Sequence, residues 1–466
     1  MEVKTHWASE IPNRVLALLL VAQIFYIVTL FVPAHIASNR LFLPEARFFD
    51  WYHVFTTALQ AEPYGHSSFG PAAYPAPVYL LGKLIGMPFL QLGLSATAAS
   101  ILAYLCIVTT SSIFLIRSLS QIADKAIHHA ATNSCKYIAA LTLLFSYPFV
   151  FALDRGNIEI FSFLAVSLYV SSYISSEHLS DLGTPAKRSS VRRLFYLAIG
   201  ATLKPYVLIF ILLECRKEKK GIIFLRILSV AAIVTALNLL SVAILYRGNL
   251  MEGLISARAV QQDFIASYVI GESGSHFFSG PYVLLKHFFA GALGCKPSDF
   301  FHYYILVSGI VACIILGKLW SRRSSISIGN ILFTSAAIIL AFPHLANDYK
   351  SIYFILPFLA ISAPLKLKRH PLPNTSRPIS GRLYLKNIHV RAATTADRIL
   401  SSDAALIVLS GSFLVNKNIL TMTAFHHSVD LGWIIGALTS CISLIAATLA
   451  NDSIKTIDYE ATKSSC

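Results

Sequence analysis

Charge is what this chain has least of. Only 13% of its 466 residues are Asp, Glu, Lys or Arg and 55% are hydrophobic, whereas about a quarter of the residues of a soluble domain are charged. That balance excludes an ordinary soluble protein. Cysteine is also scarce. The seven residues form no CxxC pair, so neither a disulfide framework nor a zinc site is supported. Cys106, Cys313 and Cys441 lie in apolar runs, Cys135 and Cys215 beside basic segments, and Cys466 at the end; only Cys295 falls in a segment expected outside. No internal repeat is evident, which counts against a transporter built from two related halves. Acidic residues are outnumbered, 23 against 38 Lys and Arg, giving a net charge of +15. The surplus does not point to nucleic acid, because it is spread in short segments between apolar runs, as positive-inside topology requires.

Those apolar runs are long. Stretches of about 17–25 apolar residues read as membrane helices, and the first, Val15 to Val32, is too long for a signal-peptide core and lacks a suitable cleavage site. Basic clusters punctuate the rest: Arg117/Lys125/Lys136, Lys187/Arg188/Arg192/Arg193, Arg216/Lys217/Lys219/Lys220, Lys318/Arg322/Arg323, and Lys366 to Arg398. With all of these cytoplasmic, three intervening segments become hairpins whose tips point outward. One turns at Leu153-Asp154-Arg155-Gly156-Asn157-Ile158-Glu159. The second, Arg193 to Glu214, is too short for two full spans at ~1.5 Å per residue and reads as a half-depth hairpin broken at Lys204-Pro205. The third turns between Phe342 and Lys350. Ala76–Leu90 is expected to be a partial helix, with the crossing at Leu92–Ile116.

The expected architecture is an all-α integral membrane protein of about twelve transmembrane or partial helices, with both termini cytoplasmic. Residues 1–365 form its core, with large outer loops at 33–75 and 246–300. A basic cytoplasmic linker follows at 366–400, then a transmembrane hairpin at 401–450 and a tail at 451–466. The apolar piece Tyr282–Leu293 of the second outer loop reads as re-entrant.

Four polar motifs then fall on the outer face. Asp50, in Arg47-Phe48-Phe49-Asp50-Trp51-Tyr52, is placed either as a general base or as the cap of the helix that follows. Tyr74-Pro75 either shapes a pocket or opens a helix. In the Asp154–Glu159 turn, Asn157 and Glu159 stand at the start of an apolar helix, where charge is costly and usually functional. Lys204 requires a partner unless it snorkels to the interface, and a phosphate at the break is a natural one. His344, Asn347, Asp348, Tyr349 and Lys350 make a last polar patch, with too few carboxylates to favour a metal. His426-His427 reads as structural.

These motifs resemble those of the GT-C superfamily of membrane glycosyltransferases, most closely glycosyltransferase family 87, which uses polyprenyl-phosphate mannose and related donors. The resemblance covers roughly residues 15–360. It rests on an acid in the first outer loop (Asp50), an aromatic-proline step (Tyr74-Pro75), an outward Arg-Gly-Asn turn followed by an acid (Arg155 to Glu159), and a Lys-Pro break (Lys204-Pro205). The family often has a second proline, where this chain has Ala76, and a His-rich late turn, where it has Asn347-Asp348-Tyr349 with His344 upstream.

The resemblance implies an inverting transferase that moves a hexose or pentose from a polyprenyl-phosphate sugar to a hydroxyl of a glycolipid or glycan acceptor. The work would be done on the outer face of what the short loops suggest is a bacterial inner membrane. Asp50 would be the base, Lys204 and Arg155 the phosphate holders, with His344 and Lys350 at the leaving group or sugar, and no metal or cofactor would be required. Two other functions fit a many-span chain. A polysaccharide polymerase or ligase would place Arg247, Arg258 and His276 at its centre, and a lipid-linked sugar transporter would need carboxylates at mid-membrane.

Overall fold

The computed structural model describes residues 48–60, 62–64, 74–126, 140–181, 187–216, 220–271, 281–321, 326–342 and 348–361, with isolated positions at 17, 20, 21, 218, 406, 410, 414 and 442. The first expected span, the linker, the C-terminal hairpin, the tail, His426-His427 and His276 lie outside the described residues, isolated positions aside. Among the described residues every regular element is helical. Three helices are long and apolar enough to cross a membrane: Ala96–Ala123, Lys220–Leu245 and Pro297–Ser321. In the most apolar stretch of Lys220–Leu245 only 17% is buried, so most of that apolar surface needs a cover that the described residues do not provide.

In chain order the α-helices are α1 (Phe49–Ala58), α2 (Ala76–Gln91), α3 (Ala96–Ala126), α4 (Tyr147–Arg155), α5 (Glu159–Asp181) and α6 (Lys187–Leu203). A 3-10 helix, Pro205–Arg216, completes the short hairpin. Then come α7 (Lys220–Leu245), α8 (Leu250–Phe264) with a π-helical end Ile265–Ile270, α9 (Pro281–Leu293), α10 (Pro297–Ser321) and α11 (Ile328–Ala341). A second 3-10 helix, Asp348–Phe354, leads into α12 (Ile355–Ile361). The expected partial helix is α2, 16 residues ending at a turn where Gly93 has φ +83°. At ~1.5 Å per residue it is about 24 Å long, short of a hydrocarbon core of about 30 Å. The crossing helix α3 runs on past Ile116 through Arg117 to Ala126. The expected re-entrant piece is helical, as α9, its lysine Lys286 donating to the carbonyls of Val269, Ile270 and Gly271 that end the π segment.

Helix α5 is the centre of the packing. It lies against α3 and α6, and the 3-10 helix Pro205–Arg216 packs on α6 and α11. Its contact with α6 is close because Gly200 has no side chain: a Cβ there would stand 3.3 Å from Ala165 and Val207. Ser162 donates to the Gly200 carbonyl at 3.2 Å, and Tyr353 donates to Ser162 at 3.2 Å. Trp51 of α1, fully buried, donates its indole N–H to the Ser100 carbonyl at 3.0 Å.

The α6 hairpin extends beyond its expected bounds. Its first helix begins six residues before Arg193, at Lys187, and its second half is wound as a 3-10 helix, which rises about 2.0 Å per residue instead of about 1.5 Å. Pro205, with no N–H to donate, makes the break. The two arms close at their far end, where Arg193 donates to both oxygens of the buried Glu214 at 2.6 and 2.7 Å. Arg226 of α7 and Tyr169 of α5 also donate to Glu214, and Arg193 reaches Ser176 at 2.6 Å. One buried carboxylate therefore ties α5, α6 and α7 to the 3-10 helix that carries it. Removing one partner of a buried, hydrogen-bonded ion pair costs roughly 3–5 kcal/mol, because the other charge is left unmet. Glu214→Ala is accordingly expected to lower the unfolding midpoint in detergent sharply, whereas Glu218→Ala, which loses one partly exposed contact to Arg226, leaves it nearly unchanged.

Candidate functional site

The site is assembled by one turn. Helix α4 ends because Gly156 takes a left-handed conformation, φ +68°. The Asn157 N–H then reaches back to the Ala152 carbonyl at 2.8 Å and the Gly156 N–H to Leu153 at 3.1 Å, the paired bonds of a Schellman ending. Asn157 at once caps the next helix, its Oδ1 accepting from the Glu159 N–H at 2.9 Å. Three residues, Gly156, Asn157 and Ile158, therefore separate α4 from α5.

Onto this turn sits the start of α1. The Phe48 N–H donates to the Asp154 carbonyl at 2.7 Å, and Phe48 itself has φ +55°, a strained value for a bulky side chain. A Cβ on Gly156 would fall 2.9 Å from both Phe48 Cα and Trp51 Cβ. Only a glycine lets the two segments approach this closely. Asp50 lies in the first turn of α1 but does not cap it; Phe48 holds the cap position and makes no side-chain bond. The Asp50 carboxylate instead crosses to the turn. Its Oδ1 accepts from Arg155 Nη2 at 3.0 Å and its Oδ2 from Asn157 Nδ2 at 2.7 Å. The Arg155 guanidinium lies over the Phe49 ring at 5.7 Å. His53, one turn along α1, is held below the ordinary histidine range by burial, which the nearby Asp50 carboxylate partly opposes.

Beyond Asn157 the polar cluster continues inward. Glu159, fully buried, accepts from the Tyr206 hydroxyl and pairs with Lys204 Nζ at 3.8 Å. Lys204 stands at the hairpin break beside the exposed Pro205, with its ammonium 5.0 Å from the centre of the Tyr74 ring. Lys350 lies over the other tyrosine, 4.6 Å from the centre of Tyr206. Tyr74 is braced in turn: the Tyr64 hydroxyl donates to its carbonyl at 3.0 Å, and its N–H donates to the Tyr79 hydroxyl at 3.4 Å.

Of the residues singled out from the sequence, Asp50, Tyr74, Arg155, Asn157, Glu159, Lys204 and Lys350 are thus joined through hydrogen bonds, ion pairs and cation–aromatic contacts. His344 and Asn347 lie outside the described residues. Asp348 and Tyr349 are described only as the start of a 3-10 helix. Two assignments change. Arg155, expected at a phosphate, is engaged with Asp50, and Lys204, expected to need a partner unless it snorkels, has one in Glu159. Arg247 and Arg258 are exposed and, among the described residues, share no hydrogen bond or ion pair with this cluster.

Tyr206 was not singled out from the sequence, although it directly follows Lys204-Pro205 and a phenol there is a clear signal. Gly156 was read as part of a turn, without its contact to α1. Among the described residues no group of three His, Cys, Asp or Glu side chains could hold a metal ion. No protein-family model, curated protein or solved structure matches the chain.

Because Gly156 combines a left-handed backbone with a contact too tight for a Cβ, Gly156→Ala is expected to cost at least the ~1–2 kcal/mol of the backbone strain alone. The measurement is the unfolding midpoint in detergent, with Gly93→Ala, left-handed but in open space, as the reference that pays only the strain.

Proposed function

We propose that the protein is an inverting membrane glycosyltransferase of GT-C type that uses a polyprenyl-phosphate sugar as donor, with Asp50 as the general base. The observation that carries this reading is the meeting of Asp50 with the Arg155–Glu159 turn, the Lys204 break, Tyr74 and Lys350, residues drawn from five separate places in the chain. A carboxylate able to take a proton belongs to the same cluster as two lysines able to hold an anion. In the transfer, the acceptor oxygen forms a bond to the anomeric carbon and its proton passes to Asp50. The bond from that carbon to the phosphate oxygen breaks, and its electron pair leaves with the lipid phosphate. That group gains a negative charge, which Lys204 and Lys350 stabilise. Lysine suits the task as a compact, mobile charge on a flexible stem.

Sidedness is supported by the two ends of α5. From Glu159 to Glu177 is about 27 Å at ~1.5 Å per residue, close to the thickness of a hydrocarbon core. At the Glu177 end gather Arg193, Arg216 and Arg226, and the basic segments adjoin them. By the positive-inside rule that end is cytoplasmic, and the Asp50 end faces outward, into the periplasm if the membrane is a bacterial inner one. The full bundle of about twelve passes, with the first span and the C-terminal hairpin, belongs to the same proposal. The acceptor is then a glycolipid or glycan hydroxyl on the outer side, and no cofactor is invoked.

The test is to supply purified, reconstituted protein with a panel of polyprenyl-phosphate sugars and measure released lipid phosphate. Asp50→Asn is expected to lower turnover at least ~10²-fold, the lower range for a general base, while the protein still inserts; wild-type turnover by this variant would sink the assignment. Lys204→Met is expected to weaken donor use roughly 10-fold or more, as loss of a charged hydrogen bond does, with kcat/KM for the donor as the readout.

The sidedness has its own check. In a variant whose only cysteine is Cys295, a membrane-impermeant thiol reagent added to intact cells is expected to label the protein, and labelling confined to inside-out vesicles would reverse the topology.

A further inference from the structure

We propose that Asn157 is a positioning residue that fixes the orientation of the Asp50 carboxylate and does not itself bind substrate. The inference rests on the transferase reading above and deepens it. Asn157 is fully buried, whereas the Asp50 side chain keeps 16% of its surface exposed. A substrate can therefore reach Asp50 and cannot reach Asn157 without displacing what covers it. The two ends of the Asn157 amide are also both committed. Its Oδ1 accepts the Glu159 N–H at 2.9 Å, which leaves Nδ2 to face Asp50 Oδ2 at 2.7 Å. A flipped amide would set donor against donor at the helix and acceptor against carboxylate at Asp50, so only one orientation serves both contacts.

With Arg155 on the other oxygen at 3.0 Å, each oxygen of Asp50 has one fixed donor, and rotation of the carboxylate would break both bonds. Each oxygen still has a second acceptor direction, since an ionised carboxylate offers about four lone-pair sites. One of those remaining directions is what an acceptor hydroxyl would use. The clamp matters because a general base must lie within about 2.6–3.2 Å of the proton it takes. A misplacement of about 1 Å can cost ~10²-fold in rate.

Two variants separate positioning from folding. Asn157→Ser keeps a good cap for α5 but is too short to reach Asp50. Asn157→Asp keeps the cap and the shape but turns a carboxylate toward Asp50. In reconstituted membranes with the polyprenyl-phosphate sugar that wild type uses, Asn157→Ser is expected to lower kcat about 10–100-fold. Its donor KM should stay within about twofold of wild type and its unfolding midpoint should be unchanged. Asn157→Asp is expected to lose more, because like charges drive Asp50 out of position. In an Asp50→Asn background, Asn157→Ser should cost nothing further.

Wild-type kcat in Asn157→Ser, or a raised donor KM at unchanged kcat, overturns the positioning role while leaving Asp50 as base. If Asn157→Ser does not fold, Asn157→Asp decides: kcat equal to wild type rejects the clamp. No transfer by wild type, or full transfer by Asp50→Asn, overturns the transferase reading and this inference with it.

Discussion

The Asp50 carboxylate is the joint on which the site depends. It links the first turn of one helix to the three-residue turn between two others, and it does so only because three backbone conditions are met together. Gly156 is left-handed, Phe48 is left-handed, and the Phe48 N–H finds the Asp154 carbonyl. The strain at Phe48 is of a kind that persists where the surroundings over-determine it. Here the surroundings are its hydrogen bond to Asp154, the tilted contact of its ring with Tyr104 at 5.5 Å, and the buried Trp51 three residues on. The local cost is offset by packing, and the result is an acid held away from its own helix and against another.

A second constraint shapes the rest. Within a bilayer a polar side chain must find its partner inside the protein, so the polar side chains of this bundle collect where helices end. Helix α5 has a buried carboxylate network at each end. Glu159 meets Lys204 and Tyr206 at one, and Glu214, delivered by the neighbouring hairpin, meets Arg193, Arg226 and Tyr169 at the other. The two differ in balance. Glu214 accepts a hydrogen bond from every one of its neighbours just named, which is what a structural lock requires. Glu159 leaves Oε1 without a hydrogen bond among the described residues, and the lysines beside it rest on tyrosine rings. A closed network holds helices together, whereas an incompletely matched one can exchange a partner.

Much of this organisation was legible in the sequence because it follows from local chemistry. Glycine and proline mark the turns at Gly156 and Pro205, and the basic clusters order the hairpins. The helix α2, ending four residues short of α3, follows the expected division into a partial helix and a crossing. Pairing was not legible. That Arg155 engages Asp50 depends on α1 lying across the α4–α5 turn, a tertiary contact with no signature in spacing. The Arg193–Glu214 hairpin breaks at Lys204-Pro205 as expected, but the winding of its second arm as a 3-10 helix had no signature in the sequence either.

The cluster also divides labour between its cations. Arg155 is planar and forked, and it is spent on orienting a carboxylate, the geometry for which a guanidinium is best suited. Lys204 and Lys350 both lie within electrostatic reach of one carboxylate, Glu159. On the proposed reading, the charge gained by the departing lipid phosphate would develop beside these two side chains. Each lysine lies over an aromatic face, Lys204 over Tyr74 and Lys350 over Tyr206, a contact that favours a cation. On that same reading the two halves of the cluster have separate tasks: Arg155 and Asn157 would orient the base, and the lysines would meet the anion.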